Sequence, residues 1–153
     1  MPINKGMMTS DRGDWETPRA LFEELDGIWH FDLDPCSTDE NAKCSRHFTK
    51  EQDGLAQPWS GRVFVNPPYG REIGKWVEKC SRESGRCEIV VALLPARTDT
   101  RWFHDYIYAG RSDSVRFIRG RLKFELNGEP QGSAPFPSML VTWIGTLGRH
   151  HVV

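Results

Sequence analysis

The chain lacks any hydrophobic run of the length that crosses a membrane. No stretch of about 18 apolar residues occurs in its 153 residues, and residues 1–14 hold no apolar segment typical of a secretory signal. Hydrophobic residues make up 38% of the chain and charged residues 27%, which are ordinary values for a globular protein. We therefore expect one folded domain over residues 14–147, a flexible arm over 1–13, a tail over 148–153, and a cytoplasmic location.

Cysteine is scarce, and its spacing is not that of a disulfide framework. The four cysteines, Cys36, Cys44, Cys80 and Cys87, form no C-x-x-C pair. Free thiols are therefore expected. Cys36, Cys44 and His47 place soft ligands close together in the sequence, but a four-ligand set with the usual zinc spacing is missing. We predict no metal site.

Net charge is also small, but the charges are unevenly distributed. The formal net charge is −1. Residues 1–60 hold 6 basic and 12 acidic side chains, whereas residues 61–153 hold 14 basic and 9 acidic ones. This polarity favours one cationic face for a polyanion, although a merely solvated surface gives the same counts.

Apolar residues recur with helical spacing in three segments and form short, compact runs between them. Strands that alternate with helices predict an α/β sheet that is mostly parallel, with an antiparallel end. Asn127-Gly128 is a turn signal. The predicted helices begin after Pro18, at Ile73 and near Trp102, and the predicted strands cover 30–34, 63–65, 89–94, 115–118, 122–126 and 138–144.

The most specific motif, Asn66-Pro67-Pro68-Tyr69, directly follows a predicted buried strand. It therefore lies at a carboxyl edge of the sheet, where open α/β sheets bind ligands. The Asn66 side-chain oxygen and the Pro67 carbonyl can accept hydrogen bonds from an adenine amino group, whose lone pair must localise before it attacks. The prolines stiffen the loop, and Tyr69 offers a ring for stacking of an extruded base. We predict that Asn66, Pro67, Pro68 and Tyr69 are catalytic.

A second strand-to-turn segment, residues 31–36, carries acids at its end. A carboxylate there can pair with the ammonium of a methionine moiety. Asp34 is preferred because it sits beside Pro35, and Asp32 is the alternative because it alternates onto the same sheet face. Thr17 opens the first helix, where it either caps the helix or helps to hold a cofactor carboxylate near the helix N-terminus.

Polar and basic residues follow the later predicted strands. Asp53, within a polar segment before Trp59, is predicted to accept hydrogen bonds from the adenine amino group or the ribose hydroxyls of a cofactor; a solvated turn is the alternative. A basic ribbon is predicted to track a nucleic-acid backbone, with a solvated strand face as the alternative. Its predicted contacts are Arg97, Arg101, Arg116, Arg119, Arg121 and Lys123.

Together these residues resemble the phage-type DNA N6-adenine methyltransferases, the small Dam-like group of phages and prophages. The matching segments run in order over most of residues 14–145. They are W-E-T-P at 15–18, L-D-P-C at 33–36, D-G-L at 53–55 with Trp59, V-N-P-P-Y-G at 65–70, L-P-A-R-T-D-T at 94–100 with W-F-H at 102–104, and G-R-L-K-F at 120–124.

The resemblance implies a trimmed Rossmann-like methyltransferase fold, with S-adenosylmethionine as methyl donor and adenine of double-stranded DNA as acceptor. It also implies a phage or prophage gene acting in the cytoplasm of a bacterial host. It gives the catalytic role to residues 66–69. The predicted cofactor site comprises Trp15, Thr17, Pro18, Asp34, Pro35, Cys36 and Asp53.

Two departures from the pattern of larger methyltransferases stand out. No glycine-rich turn follows Asp34, and only about thirty residues separate Asp34 from Asn66. The sheet is therefore trimmed, and the usual ribose-binding acid has no clear counterpart. With no separate recognition domain visible, a second copy or a partner protein is a candidate aid in gripping DNA.

Other functions remain open from the residues alone. The same tetrapeptide can hold an adenine of RNA or the amide of a protein glutamine. A different class is a non-catalytic module that binds nucleic acid through the basic ribbon.

Overall fold

A computed structural model of the chain describes residues 15–145. The predicted arm at 1–13 and tail at 148–153 lie outside the described residues. The helices are α1 (Arg19–Trp29), α2 (Ile73–Glu83) and α3 (Arg101–Tyr106). The strands are β1 (Leu33–Asp34), β2 (Arg46–His47), β3 (Gly61–Val65), β4 (Cys87–Pro95), β5 (Ser114–Phe117), β6 (Glu125–Leu126), β7 (Glu129–Pro130) and β8 (Ser138–Ile144).

Six strands form one sheet in the order β2-β1-β3-β4-β8-β5. The first four of these strands are parallel to one another. β8 runs antiparallel to both of its neighbours, so β5 points in the same direction as β4. The predicted α/β sheet is therefore confirmed as mostly parallel, and its antiparallel part is the single strand β8, with a separate β6–β7 hairpin beside it.

Helices cover both faces of this sheet. On one face, Phe22 of α1 packs edge-to-face against Phe64 of β3, with ring centroids 5.2 Å apart. On the other face, the Trp143 indole of β8 donates to the Tyr106 carbonyl at the end of α3, and the Tyr106 hydroxyl donates to Glu78 of α2. β3 and β4 thus lie between two helical layers, which explains their nearly continuous burial.

The helices begin where the sequence predicts them, after Pro18, at Ile73 and near Trp102. In α2 the apolar side chains at helical spacing, Ile73, Trp76, Val77 and Cys80, are all buried. α1 continues to Trp29 and ends where His30 adopts a left-handed conformation. No helix within residues 15–145 is long and apolar enough to cross a membrane.

The segment between β5 and β8 lies at the same edge of the sheet as the loop after β3. Phe117 of β5 and Leu94 of β4 both pair with Met139 of β8, so their strands end at one level. Residues 122–126 were predicted to form a strand, but only Glu125–Leu126 does so, paired with β7. Asn127 and Gly128 form the predicted turn and both have positive φ.

Candidate active site

The Asn66 side chain is held by the N-terminal segment of the described chain. Its amide nitrogen donates to the Trp15 carbonyl at 2.5 Å and to the Thr17 hydroxyl at 3.1 Å. Because both contacts engage the nitrogen, they fix which way the amide is turned. The Asn66 Oδ1 atom is buried and has no donor within residues 15–145. A buried acceptor without a donor costs about 1–3 kcal/mol, so this atom is suited to a donor that a ligand brings.

Asn66 and the end of β1 face a common narrow cavity, which we call the strand-end cavity. The ends of the parallel strands β1 and β3 bring its walls together, and the segment before α1 closes it. Among the predicted site residues, Trp15, Thr17, Asp34, Cys36 and Asn66 line it. Its other lining residues are Glu16, Ser37, Asn41, Lys43 and Phe64.

Thr17 does not cap α1. Pro18 occupies the N-cap position and makes no side-chain capping bond. The Thr17 hydroxyl accepts from Asn66 instead. The first backbone N–H of the helix, at Arg19, donates to the Glu125 carboxylate at 2.8 Å. The capping interpretation is therefore wrong. The first N–H of the helix instead donates a hydrogen bond to a carboxylate of the protein itself, that of Glu125.

The Asp34 carboxylate is buried without a counter-ion. Its oxygens accept from the backbone N–H groups of Cys36 and Lys43, and it makes no ion pair within the described part of the chain. Burial raises the pKa of Asp34 to about 6, although the two backbone bonds and the charges of His47 and Lys43 oppose that rise. Because a buried carboxylate without a counter-ion is costly, this site is suited to a cationic ligand group.

Asp32, the alternative to Asp34, lies away from this cavity beside Arg46, and its side chain is 44% exposed.

A second cavity, of about 450 Å³, adjoins the first. We call it the apolar cavity, because Pro35, Phe48, Leu55, Pro68 and Trp76 form much of its wall. Its volume falls within the range of about 300–1,000 Å³ that small-molecule sites occupy.

Gly54 allows the apolar cavity to form. A Cβ atom on Gly54 would lie 2.0 Å from the Pro35 carbonyl oxygen, so any side chain would push the two loops apart. The Gly54 carbonyl accepts from the buried Trp59 indole at 2.9 Å. Asp53 precedes it with a φ of 57° and lines the cavity, while its Oδ1 accepts from the Leu55 N–H.

Tyr69 is enclosed in the protein and faces neither cavity. Its side chain is fully buried, and its hydroxyl donates to the Leu93 carbonyl of β4 at 3.0 Å. Phe124 and Phe136 pack edge-to-face against its ring, and Trp15 packs against both phenylalanines. In this conformation a base can reach the Tyr69 ring only after this aromatic cluster has moved.

The predicted basic contacts lie outside both cavities and are all exposed. Arg97 and Arg101 follow the end of β4, and Arg119, Arg121 and Lys123 belong to the segment after β5, so these five share the edge that carries Asn66. Arg116 differs, because it lies within β5 and forms an ion pair with Glu24 of α1 at 3.6 Å.

The cysteine and histidine side chains near Asp34 do not gather into a metal site. Within residues 15–145, no group of three or more His, Cys, Asp or Glu side chains could hold a metal ion. Burial raises the pKa of Cys36 and of Cys44 to about 12, with the Asp34 charge acting in the same direction. His47 bonds to the Asp39 carboxylate at 2.8 Å.

Sequence reasoning missed several residues of these cavities. Ser37 lines both of them, and its buried hydroxyl has no partner within residues 15–145. Its position directly after Cys36 was the available signal. Glu16 lies in the W-E-T-P motif without a predicted role of its own, but its carboxylate accepts from the N–H groups of Asn127 and Gly128, more than 100 residues away. No local pattern reveals such a contact.

The known proteins and the family that this chain resembles are all described as methyltransferases. The profile of a family described as DNA N-6-adenine-methyltransferase (Dam) matches residues 5–146. A DNA N-6-adenine-methyltransferase of Escherichia phage T1 is 29% identical over an alignment 157 positions long. That alignment covers 86% of this chain and 66% of that protein. YfdM, a candidate methyltransferase of Escherichia coli (strain K12), is 36% identical over 63 residues, which cover 36% of this chain and 69% of that protein. The chain spans about two thirds of the length of the curated relatives it matches.

Proposed function

The chain belongs to the DNA N-6-adenine-methyltransferase (Dam) family, and on that premise we propose that it transfers a methyl group to the N6 amino group of adenine in double-stranded DNA. The observation that carries this proposal is the buried, donorless Oδ1 atom of Asn66 at the end of β3. The phage T1 relative supports the same activity. We place the enzyme in the cytoplasm of a bacterial host, encoded by a phage or prophage.

We propose that the two adjoining cavities bind S-adenosylmethionine, within a trimmed Rossmann-like fold. The buried Asp34 carboxylate would pair with the ammonium group of the cofactor in the strand-end cavity, which Trp15, Thr17 and Cys36 also line. The apolar cavity would hold the adenosine part, with Pro35 in its wall and Asp53 as a hydrogen-bond acceptor. Pro18 would act indirectly, by setting the start of α1. When bound, the cofactor supplies an electrophilic methyl group.

Asn66 and Pro67 would prepare the adenine amino group for attack. The amino lone pair is delocalised into the ring, and acceptors placed at both amino hydrogens favour the form in which it is localised on nitrogen. The contacts from Asn66 to Trp15 and Thr17 hold the side-chain oxygen in place before the substrate arrives. Such preorganised polar groups stabilise a transition state without reorganisation during the reaction, and Pro67 and Pro68 restrict the loop.

The target base would have to displace part of the aromatic cluster around Tyr69. Extrusion of a base from the duplex costs a few kcal/mol, and stacking on an aromatic ring returns about 1–3 kcal/mol. Phe124 and Phe136 already pack in T-shaped contacts against the Tyr69 ring, with centroids 6.0 and 5.5 Å away. We propose that the segment carrying them opens when DNA binds, so that Tyr69 stacks with the extruded adenine.

The basic residues at the same edge of the sheet would contact the phosphates. Arg97, Arg101, Arg119, Arg121 and Lys123 are exposed there. Phosphate contacts fix the position of a protein on the duplex without reading its sequence. Arg116, paired with Glu24, would contribute to the surrounding positive field. We further propose that a second copy or a partner protein assists in recognising the target sequence.

A transfer assay with a methyl-labelled donor tests the proposal directly. The protein would be incubated with DNA, RNA and a protein mixture in parallel, and we expect label in N6-methyladenine of DNA. Label confined to RNA or to glutamine would contradict the proposed substrate. Failure of the protein to bind the donor in calorimetry would instead favour a non-catalytic binding module.

The variant Asn66→Ala tests the assigned role of the loop. Removal of one preorganised polar group typically costs about 10²–10³-fold in kcat, so we expect a loss of that size or greater. Binding of the cofactor should stay within a few-fold of wild type, because Asp34 and the apolar cavity are intact. Thermal unfolding of the variant checks that the segment around Trp15 and Thr17 remains in place. Turnover close to wild type would refute the role of Asn66.

A further inference from the structure

Three buried side-chain polar atoms have no partner within residues 15–145, namely Ser37 Oγ, Asn66 Oδ1 and Ser138 Oγ. Ser37 and Asn66 both line the strand-end cavity. A buried polar atom without a partner is unfavourable, and two such atoms in one small cavity suggest that ligand groups satisfy each of them. The proposed reaction gives a partner to Asn66 but leaves Ser37 without one.

Ser37 lies where the two cavities meet. Of all their lining residues, only Cys36 and Ser37 belong to both the strand-end cavity and the apolar cavity. A ligand with its ammonium group at Asp34 and its purine in the apolar cavity must pass this point. In S-adenosylmethionine the group between the sulfonium arm and the purine is the ribose.

Ser37 is the better hydrogen-bonding group of the two. Thiols are weak donors and weak acceptors, whereas a hydroxyl donates one hydrogen bond and accepts two. The neutral Cys36 thiol therefore offers little to a ribose hydroxyl, and the Ser37 backbone N–H is already used, since it donates to the Phe48 carbonyl at 3.2 Å. That backbone bond holds Ser37 in position and leaves its side chain for the ligand.

We infer that Ser37 binds a ribose hydroxyl of the cofactor through its Oγ atom. This inference rests on the proposed function, because it takes the cofactor to be S-adenosylmethionine. It assigns ribose recognition to a serine in the turn after β1 and leaves Asp53, which lines the apolar cavity alone, to the adenine amino group. A hydroxyl also carries no charge, so no further buried carboxylate is added beside Asp34.

The test measures binding of S-adenosylhomocysteine and its 2′-deoxy and 3′-deoxy analogues by calorimetry. We expect Ser37→Ala to weaken binding of S-adenosylhomocysteine by about 3–10-fold, the value of one ordinary hydrogen bond. One of the two deoxy analogues should bind wild type more weakly by a similar factor, yet bind Ser37→Ala as well as S-adenosylhomocysteine does. This coupling separates a direct contact from a structural effect.

Ser138→Ala is the matched control. It also removes a buried hydroxyl without a partner, but Ser138 lies in β8 and lines neither cavity. We expect it to bind all three ligands as wild type does. We also expect the melting temperature of ligand-free Ser37→Ala to be no lower than that of wild type, since no protein contact is lost.

Each outcome decides between the two claims. Equal binding of S-adenosylhomocysteine by Ser37→Ala and wild type would overturn the inference while the proposed function stands. A deoxy analogue that loses the same factor in both proteins would also overturn it. If wild type does not bind S-adenosylhomocysteine at all, the proposed function fails, and the inference fails with it.

Discussion

At the scale of single residues, the site depends on buried polar groups that lack a hydrogen-bond partner or a counter-ion within residues 15–145. In the described part of the chain, Asn66 Oδ1 and Ser37 Oγ are buried and have no hydrogen-bond partner, and the buried Asp34 carboxylate has no counter-ion. Each is costly in the ligand-free protein. Under the proposed function, a ligand that supplies an amino hydrogen, a hydroxyl and an ammonium group would recover this cost, so binding energy and selectivity would come from the same atoms.

The raised pKa of Asp34 predicts how cofactor binding depends on pH. Burial raises this pKa to about 6, so the carboxyl takes up a proton as the pH falls through 6. A neutral carboxyl cannot pair with an ammonium group. We therefore expect the Kd for S-adenosylmethionine to be constant from pH 7 to 7.5 and to rise below pH 6, approaching tenfold per pH unit. Calorimetry across this range measures the effect.

Asp34→Asn provides the control for this pH dependence. The amide is similar in size and does not titrate, so the variant should bind weakly at every pH and show no rise in Kd between pH 7 and 5. An affinity of the wild-type protein that is flat across pH 5 to 7 would contradict the assignment of Asp34 to the ammonium group.

At the scale of secondary-structure elements, the β6–β7 hairpin and α1 are joined through two acidic residues. Glu16 bridges to Glu125 through reciprocal backbone hydrogen bonds, and its carboxylate accepts from both turn residues, Asn127 and Gly128. The Glu125 carboxylate accepts from the first N–H of α1. The hairpin continues directly from Phe124, which covers Tyr69. Its attachment therefore influences how readily the aromatic cluster opens.

Glu16→Ala is expected to loosen the hairpin turn. It removes the acceptor of two backbone N–H groups, and hydrogen bonds to charged groups contribute about 1.5–3 kcal/mol each when well formed. Because the turn is exposed, we expect the smaller end of this effect, with amide hydrogen exchange at Asn127 and Gly128 at least about tenfold faster. Hydrogen exchange measured by NMR resolves these two amides.

Glu129→Ala serves as the comparison for that experiment. Glu129 is exposed on the same hairpin, and no hydrogen bond of its carboxylate occurs within residues 15–145. Its replacement should leave exchange at Asn127 and Gly128 unchanged. Similar exchange rates in the Glu16 variant and in wild type would show that the carboxylate does not hold the turn.

The elements that the sequence predicted well are those with a strong local signal. The apolar spacing from Ile73 to Cys80 marks α2, and the run that ends at Asn66 marks β3, because burial imposes a period on each. The roles of Thr17 and Glu16 depend on partners 49 and more than 100 residues away. Local propensity contains no information about such contacts, which explains why the sequence left helix capping open as one of two interpretations of Thr17.

Tyr69 shows that, within the motif too, the local sequence does not reveal contacts with distant residues. Its place directly after two prolines indicates a loop at the strand end, as observed. The enclosure of its ring by Phe124 and Phe136, however, comes from a segment about 60 residues later in the chain. The motif predicts the chemistry of its residues, whereas the access of a base to them is set by the rest of the fold.

At the scale of the whole molecule, strand direction places charge and chemistry at one edge. β3, β4 and β5 point the same way, so Asn66, Arg97 and Arg119 follow their carboxyl ends. The opposite edge carries cations that are already neutralised, such as Arg62, which pairs with Glu88 at 2.8 Å. Under the proposed function, a polyanion would be attracted to the edge that carries Asn66, although the net charge of the chain is only −1.

This arrangement predicts a selective effect on the salt dependence of DNA binding. Each phosphate contact contributes about 0.9 to the slope of log K against log salt concentration. Arg97→Ala, Arg119→Ala and Lys123→Ala should each weaken DNA binding across sequences and lower the slope by about that amount. Fluorescence anisotropy with a labelled duplex at several salt concentrations measures both quantities. Arg62→Ala removes a cation from the opposite edge, so its slope should equal that of wild type. If Arg62→Ala lowers the slope as much as Arg119→Ala does, DNA affinity depends on the total charge of the protein, and the edge at Asn66 is not the surface that binds the duplex.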